Sequence, residues 1–391
     1  MRRESVSEPI TPVAELPLGL AVDTIPAMNE LRCWLIWAWK LTRFLAYRAG
    51  LFPAPVLNDR FGELMTVLGQ AGGWRNRLRI RFPERCPQSG PAIFVGNHLR
   101  TDDPEVVFHA IFEATKHNIV IKYMMRHDFG DGLPFAKLLD INDMFVRMGA
   151  YMIDRNHVTL AQLKPFVTLL REGGSFGMFP GGTRSRSGQF FEYRDHITEP
   201  GGVSFFLAQA QRAKPDPPIP VVPVVRTWNP ANRRTTLIFG APRYLAATAD
   251  RAAQKQFDLD LAYHMGDLVE LNAAQLTAAI LYLRCLHGQD GAVSIDDLVD
   301  RVRRVLAHVP GRPVEVDTVG NLADEVHTAL AHFESCGLLR RHDGAVELAT
   351  AEVLADLPQD KYYVRRNPIK YLVNQILHLW DVTQAIEAQA L

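Results

Sequence analysis

Short apolar runs alternate with helix-like segments between residues 92 and 245, and this alternation constrains the fold more than any other feature. Each run is four to six residues long, which suits a buried strand. Helix-like segments begin at Pro104 and near Val158. The pattern predicts an α/β fold with a central mixed sheet covered by helices. The strand candidates are 92–95, 118–123, 151–154, 175–179, 220–225 and 236–240.

The 391 residues are enough for two or three domains. The amino-terminal stretch mixes charges and prolines without the apolar core of a signal peptide, and we expect a flexible tail over 1–28. An amphipathic helical segment is expected over 29–70, the α/β domain over 71–255 and a mainly helical carboxy-terminal domain over 256–391.

Charge and cysteine usage exclude several classes of function. Lysine and arginine together number 43, as do aspartate and glutamate, so net charge gives no support to a nucleic-acid partner. The four cysteines are scattered and form no C-x-x-C pair. This spacing indicates a reducing compartment and argues against a disulfide framework or a zinc site. The motifs described below imply neither a metal nor a redox cofactor.

The segment 31–52 is rich in tryptophan and leucine and contains no acidic residue. Its basic residues fall within about 160° of a helical circumference, opposite an apolar face. This is typical of a helix in a membrane interface, so we expect peripheral, monotopic attachment to the cytoplasmic face of a membrane. The alternative is a helix that packs on the protein's own core. The basic residues are Arg32, Lys40, Arg43 and Arg48.

Arginine alternates with other residues from Arg75 to Phe82, which predicts a strand with one basic face. Such a face is solvated at a sheet edge or lies near anionic headgroups. The arginines are Arg75, Arg77, Arg79 and Arg81.

A histidine and an aspartate share one strand-to-helix connection. Gly96 ends the apolar run 92–95, and Pro104 is well placed as the first residue of a helix that Asp103 would cap. His98 is then close enough to Asp103 for a hydrogen bond. An imidazole backed by a carboxylate is a general base with a fixed tautomer. The alternative is a surface histidine beside an ordinary helix cap.

Two further loops carry arginines that could bind an anion. The loop 149–155 places Arg155 after an apolar strand, where it could also pair with a neighbour. The loop 179–188 combines glycines with Arg184 and Arg186. Glycines let backbone N–H groups approach an anion, and guanidinium binds phosphate in bidentate fashion. The alternative is a flexible basic loop.

Four motifs occur in order: His98-x-x-x-x-Asp103, Gly149-x-x-x-Ile-x-Arg155, Phe179-Pro-x-Gly-Thr-Arg-Ser185 and Val222-Pro-Val224. Together they resemble the four blocks of the glycerolipid acyltransferases over roughly residues 75–245. The resemblance implies an α/β fold of that kind, His98 and Asp103 as catalytic residues, and acyl-CoA or acyl-carrier protein as donor, without a cofactor. The implied substrate-binding residues are Arg155, Gly182, Thr183, Arg184, Ser185, Arg186 and Pro223.

The continuation Ser185-Arg-Ser-Gly188 and the carboxy-terminal region resemble the glycerol-3-phosphate branch of the family. We therefore expect a membrane-associated enzyme that acylates glycerol-3-phosphate by direct transfer, with membrane lipids as further partners. Ile153-Asp-Arg155 is closer to the lysophosphatidate branch, so acylation of a lysophospholipid is the alternative. Gly181 stands where the family usually has glutamate. That departure motivates an alternative of another class, a catalytically weak lipid-binding protein.

The carboxy-terminal region contains two helix-like segments, 294–306 and 322–336, and a hairpin that turns at Asp343-Gly344. Two helices and a hairpin resemble a winged-helix DNA-binding module. The helix faces hold nearly as many acids as bases, so we expect a packing or substrate-shielding role instead.

Overall fold

A computed structural model gives the architecture of the chain. It describes residues 35, 38, 39, 42–51, 78–116, 118–127, 141–147, 150–154, 157–192, 201–213, 215–289, 291–357 and 362–390. The predicted tail over 1–28 and most of the segment 29–70 lie outside these residues. Among the residues described, no helix has both the length and the apolar character needed to span a bilayer.

Seven strands form one central sheet in the order β1-β7-β6-β2-β5-β3-β4. The five strands from β6 to β4 run parallel, whereas β7 is antiparallel to β6 and parallel to β1. The predicted mixed sheet is therefore confirmed. The strands are β1 (Leu78–Arg81), β2 (Ile93–Gly96), β3 (Lys122–Arg126), β4 (Ala150–Ile153), β5 (Phe176–Met178), β6 (Val221–Asn229) and β7 (Arg234–Phe239).

Helices cover both faces of the sheet because the central strand β2 is apolar on both sides. Phe94 packs into one buried cluster, and Ile93 and Val95 pack into the other. A strand buried on both faces reads as a continuous apolar run, as the sequence of β2 does. The helices between the strands are α1 (Asp103–Ala114), α2 (Ile141–Arg147), α3 (Leu160–Arg171) and α4 (Val203–Gln211).

The carboxy-terminal region is built around α6, whose side chains are buried almost all round. Asn272 and Gln275 form a reciprocal capping box at its start. The predicted hairpin is confirmed, with a turn at Asp343 and Gly344, both at positive φ. The helices are α5 (Arg251–Asp267), α6 (Ala273–Leu286), α7 (Ile295–His308), α8 (Val316–Gly320), α9 (Leu322–Ser335), α10 (Thr350–Leu354), α11 (Tyr363–Arg366), α12 (Pro368–Asn374) and α13 (Trp380–Ala390). The small sheet, in the order β8-β10-β9, comprises β8 (Val293–Ser294), β9 (Leu339–His342) and β10 (Ala345–Leu348).

The basic face of β1 is directed at the carboxy-terminal region rather than at solvent or lipid. Arg79 pairs with Asp317 at 2.5 Å, and Arg81 pairs with Glu270 at 2.5 Å. The other two arginines of the predicted row lie outside the described residues. The alternation of arginines along the strand was predicted. The carboxylates that pair with them lie about 190 and 240 residues further along the chain.

Glu315 is buried among these ion pairs at the junction of the two regions. Its carboxylate lies 3.9 Å from Arg234, and burial, reinforced by the nearby Glu270 and Glu325, raises its pKa to about 7 from a usual 4.5. Between pH 4.5 and pH 7 the folded protein therefore holds a proton that the unfolded chain has lost. The contribution of Glu315 to folding stability therefore falls as pH rises through this window.

We predict that Glu315→Gln removes this pH dependence. The difference in free energy of unfolding between variant and wild type should grow by about 3 kcal/mol in the variant's favour from pH 4 to pH 8. Urea unfolding at both pH values measures it. Glu347→Gln, on an exposed strand position, is the control and should change stability by no more than about 0.5 kcal/mol. Equal pH dependence of both variants would contradict the prediction.

Candidate active site

His98 lies two residues beyond the end of β2, at the carboxyl edge of the parallel strands. Its Nδ1 is 2.7 Å from Oδ2 of Asp103, and its ring stacks on Phe179 with centroids 4.6 Å apart. The side chain is 18% exposed, whereas Asp103 is fully buried. The sequence therefore predicted this pair correctly in space. The helix boundary differs by one residue, because Asp102 occupies the N-cap and Asp103 is the first helical residue.

Asp103 is held as a carboxylate by donors on both of its oxygens. Arg226 Nη1 donates to Oδ1 at 2.6 Å, and the backbone N–H of Arg100 donates to Oδ2 at 2.7 Å. Burial alone would raise the pKa of Asp103, but the charge of Arg226 and the hydrogen bond with His98 lower it below its usual value. An ionised carboxylate only accepts hydrogen bonds, so Nδ1 of His98 donates and Nε2 is left to accept a proton.

Arg226 is the residue of the site that sequence reasoning missed. It lies on β6, is 2% exposed, and its Nη1 also donates to Asp102 Oδ1 at 2.9 Å. Asn97 fixes its backbone, donating to the carbonyl of Arg226 at 2.9 Å and accepting from its N–H at 2.8 Å. The sequence did contain a signal for this residue, an arginine that directly follows the apolar run 220–225. A charge buried in a strand requires a partner of opposite charge.

The glycine-rich loop after β5 is folded against the histidine. The backbone N–H of Ser185 donates to the carbonyl of His98 at 2.7 Å. Gly182, at φ +71°, donates its N–H to the carbonyl of Phe179, so that N–H does not point to a substrate. Oε2 of Glu192 accepts four hydrogen bonds from the loop. The donors are Ser185 Oγ, Arg186 N, Ser187 N and Ser187 Oγ.

The structure brings some of the predicted binding residues together and leaves others apart. Arg184 and Arg186 both approach the ring of Tyr362, with Cζ-to-centroid distances of 5.1 and 5.8 Å. Gly182 is exposed, Thr183 is partly exposed and Ser185 is buried in the same loop. Pro223 is buried within β6, where its carbonyl accepts from Gly240 N, and it does not line the cavity beside the histidine loop. Arg155 lies outside the described residues.

A cavity of about 550 Å³ opens beside the connection that carries His98. The α/β domain and the carboxy-terminal region each form part of its wall. Arg100 covers the indole of Trp228 on one side, with Cζ 4.1 Å from the ring centroid. Its polar lining includes Arg100, Asp102, Arg184, Arg226, Arg233, His332, Tyr362 and Arg365.

No group of three or more metal-ligating side chains is present in the part of the chain that the structure describes. The described site therefore consists of a histidine–carboxylate pair, arginines and backbone groups. Such a set suits proton transfer from a hydroxyl next to an anionic group.

Comparison with known proteins finds acyltransferases that are similar to the part of the chain that holds this site. A family model described as Acyltransferase matches residues 77–227. Over 115 residues the chain is 29% identical to the 1-acyl-sn-glycerol-3-phosphate acyltransferase of Borreliella burgdorferi, an alignment that covers 29% of this chain and 41% of that protein. The crystal structure of the 1-acyl-sn-glycerophosphate (LPA) acyltransferase PlsC from Thermotoga maritima matches with 14% identity and a TM-score of 0.34, covering 61% of this chain and 94% of that one.

Residues 77–227 thus form an acyltransferase domain. This match and the similarity to a 1-acyl-sn-glycerol-3-phosphate acyltransferase support the resemblance to the glycerolipid acyltransferases that the motifs indicate. The chain spans 41% of the length of the bacterial relative.

The geometry predicts that Arg226 and Arg100 differ sharply in their contribution to stability. Arg226→Met should lower the free energy of unfolding by about 3–5 kcal/mol, because it leaves the buried Asp103 carboxylate without its cation. Arg100→Ala keeps the backbone N–H that binds Asp103 and removes a partly exposed ion pair and the contact with Trp228, so it should cost about 1–2 kcal/mol. Chemical denaturation measures both, and equal costs would contradict the assignment.

Proposed function

We propose that the protein is an O-acyltransferase that moves a fatty acyl group from a thioester donor to a hydroxyl of a phosphate-bearing glycerol acceptor. The observation that carries the proposal is the 2.7 Å contact between His98 and a buried, ionised Asp103 within an acyltransferase domain. The donor is acyl-CoA or acyl-carrier protein, and no cofactor is required. A thioester is already activated, so direct transfer needs no covalent acyl-enzyme.

The reaction follows from the orientation of the imidazole. Nε2 of His98 removes the proton from the acceptor hydroxyl while Asp103 stabilises the imidazolium that forms. The acceptor oxygen attacks the thioester carbonyl carbon, a C–O bond forms and the C–S bond breaks. The thiolate leaves and takes the proton back from the imidazolium. Stacking on Phe179 holds the ring in place during these steps.

Lysophosphatidate is the acceptor that the similarity to a 1-acyl-sn-glycerol-3-phosphate acyltransferase supports. Glycerol-3-phosphate is the second candidate. It is favoured by the motif Ser185-Arg-Ser-Gly188 and by the carboxy-terminal region, because both features resemble that branch of the family. Arg184 and Arg186, with Arg155, are proposed to bind the phosphate that these acceptors share.

We propose peripheral attachment to the cytoplasmic face of a membrane through the amino-terminal helical residues. Leu35 and Trp39 are 61% and 63% exposed, and Arg43 is exposed near them. Phe44 is 1% exposed and packs into one of the core clusters. The described helical residues therefore contact the protein at Phe44 and offer apolar and basic groups at other positions, as an interfacial helix does.

Thiol release from a long-chain acyl-CoA tests the proposed reaction. Release by the wild type should require an acceptor and should fall about 10²-fold or more in His98→Ala, because the general base is lost. His342→Ala is the matched control, since His342 is exposed on β9 and does not line the cavity.

Parallel reactions with glycerol-3-phosphate and with lysophosphatidate decide between the two acceptors. If lipid binds with unchanged affinity in His98→Ala and the wild type releases no thiol with either acceptor, the lipid-binding alternative is correct and the proposed reaction is wrong.

Arg184→Ala should raise the KM for the acceptor about tenfold or more and leave kcat within a few-fold, because a phosphate contact made in the ground state is lost. Initial rates at varied acceptor concentration measure this. Lys164→Ala, on α3 and outside the loop, serves as the control. An unchanged acceptor KM would remove Arg184 from the phosphate-binding role.

A further inference from the structure

The cavity beside the histidine loop is cationic, and only part of its charge is used by the site described above. Five arginines line it and Asp102 is its one lining carboxylate among the described residues. Arg226 is balanced by Asp102 and Asp103, and Arg100 also pairs with Asp102. The remaining excess of positive charge calls for an anion inside the cavity.

Two of these arginines have side chains without a partner among the described residues. Arg233, in the turn between β6 and β7, and Arg365, on α11, form no side-chain hydrogen bond or ion pair with any other part of the chain that the structure describes. Arg79, Arg81 and Arg234, by contrast, each bind a carboxylate. Arg233 and Arg365 are both exposed, and both line the cavity.

The turn that carries Arg233 is held in an unusual conformation. Arg233 has φ +59°, in the left-handed region that glycine or asparagine adopts more easily. Its two neighbours are anchored to Glu325 on α9, Asn232 at 2.9 Å and Arg234 at 2.7 Å. The two anchors hold the turn, and with it Arg233, at the wall of the cavity.

The carboxy-terminal segment also contacts the glycine-rich loop directly. The N–H of Tyr363 donates to the carbonyl of Arg186 at 3.1 Å, and Asn374 Nδ2 donates to the carbonyl of Ser187 at 2.9 Å. A Cβ at Gly188 would lie 2.2 Å from the carbonyl oxygen of Tyr371, so only glycine allows this approach. Arg365 is therefore fixed relative to Arg184 through the loop itself.

An acyl chain does not suit this cavity, because it would bury guanidinium groups against hydrocarbon. A phosphate ester does, since guanidinium binds phosphate in bidentate fashion. About 550 Å³ is within the usual range for a small-molecule site.

We propose that this cavity binds the phosphate ester of a substrate and that Arg233 and Arg365 determine specificity for it. The inference rests on the proposed acyl transfer and gives the carboxy-terminal domain a defined part in it. The phosphate belongs either to the glycerol acceptor or to the CoA donor. Arg184 lines the same cavity, so the acceptor is the expected source.

The variants Arg233→Gly and Arg365→Gln test the proposal in the full-length protein. Glycine suits the positive φ at position 233, so the first variant removes the guanidinium and relieves the backbone. Each should raise the KM for glycerol-3-phosphate or lysophosphatidate about tenfold, leaving kcat within about twofold. Arg366→Gln is the matched control, because Arg366 is exposed on the same short helix and does not line the cavity.

A rise confined to the KM for acyl-CoA supports the phosphate site and assigns it to the donor. Unchanged KM values for every substrate in both variants, with normal turnover by the wild type, overturn the inference and leave the proposed function intact.

Calorimetric titration with glycerol-3-phosphate and, separately, with CoA gives a readout that does not depend on turnover. Binding that is lost in Arg233→Gly and Arg365→Gln supports the site even if the wild type releases no thiol, and in that case the proposed function alone is wrong.

Discussion

The buried carboxylate of Asp103 is the interaction on which the site depends. It has no access to water, so its charge must be balanced by the protein, and Arg226, His98 and the N–H of Arg100 do so. These partners come from β6, from the end of β2 and from the first turn before α1. Strand pairing between β2 and β6 and the start of α1 therefore set the orientation of the imidazole.

Arginines are also paired with carboxylates at the junction with the carboxy-terminal region. Arg79 and Arg81 on β1 and Arg234 on β7 bind carboxylates of that region. Hydrogen bonds from the segment 363–374 hold the glycine-rich loop. The helices and hairpin that resemble a winged helix are thus used for intramolecular contact, with Glu325 of α9 occupied by the β6–β7 turn.

Local patterns predicted much of the fold. Apolar runs of strand length located five strands of the large sheet, and the run 118–123 overlaps β3 only at its last two residues. The His98–Asp103 spacing located the hydrogen-bonded pair, because the two residues lie in one short connection. Arg226 was missed because its partners lie more than 120 residues earlier in the chain. The cavity wall was missed for the same reason, distance along the chain. Arg365 and Arg184 line one cavity only because the carboxy-terminal segment folds back onto the loop.

Gly181 stands where the family usually has glutamate, but the neighbouring loop is held by another carboxylate. Glu192 accepts four hydrogen bonds from residues 185–187, so a carboxylate holds this loop from the far side. A Cβ at Gly181 would lie 3.1 Å from Phe191, so the space beside it is already filled by an aromatic ring. Because Glu192 follows Phe191 directly, the ring and the carboxylate act together to order the loop. The departure at Gly181 therefore gives no physical reason to expect a disordered or inactive site.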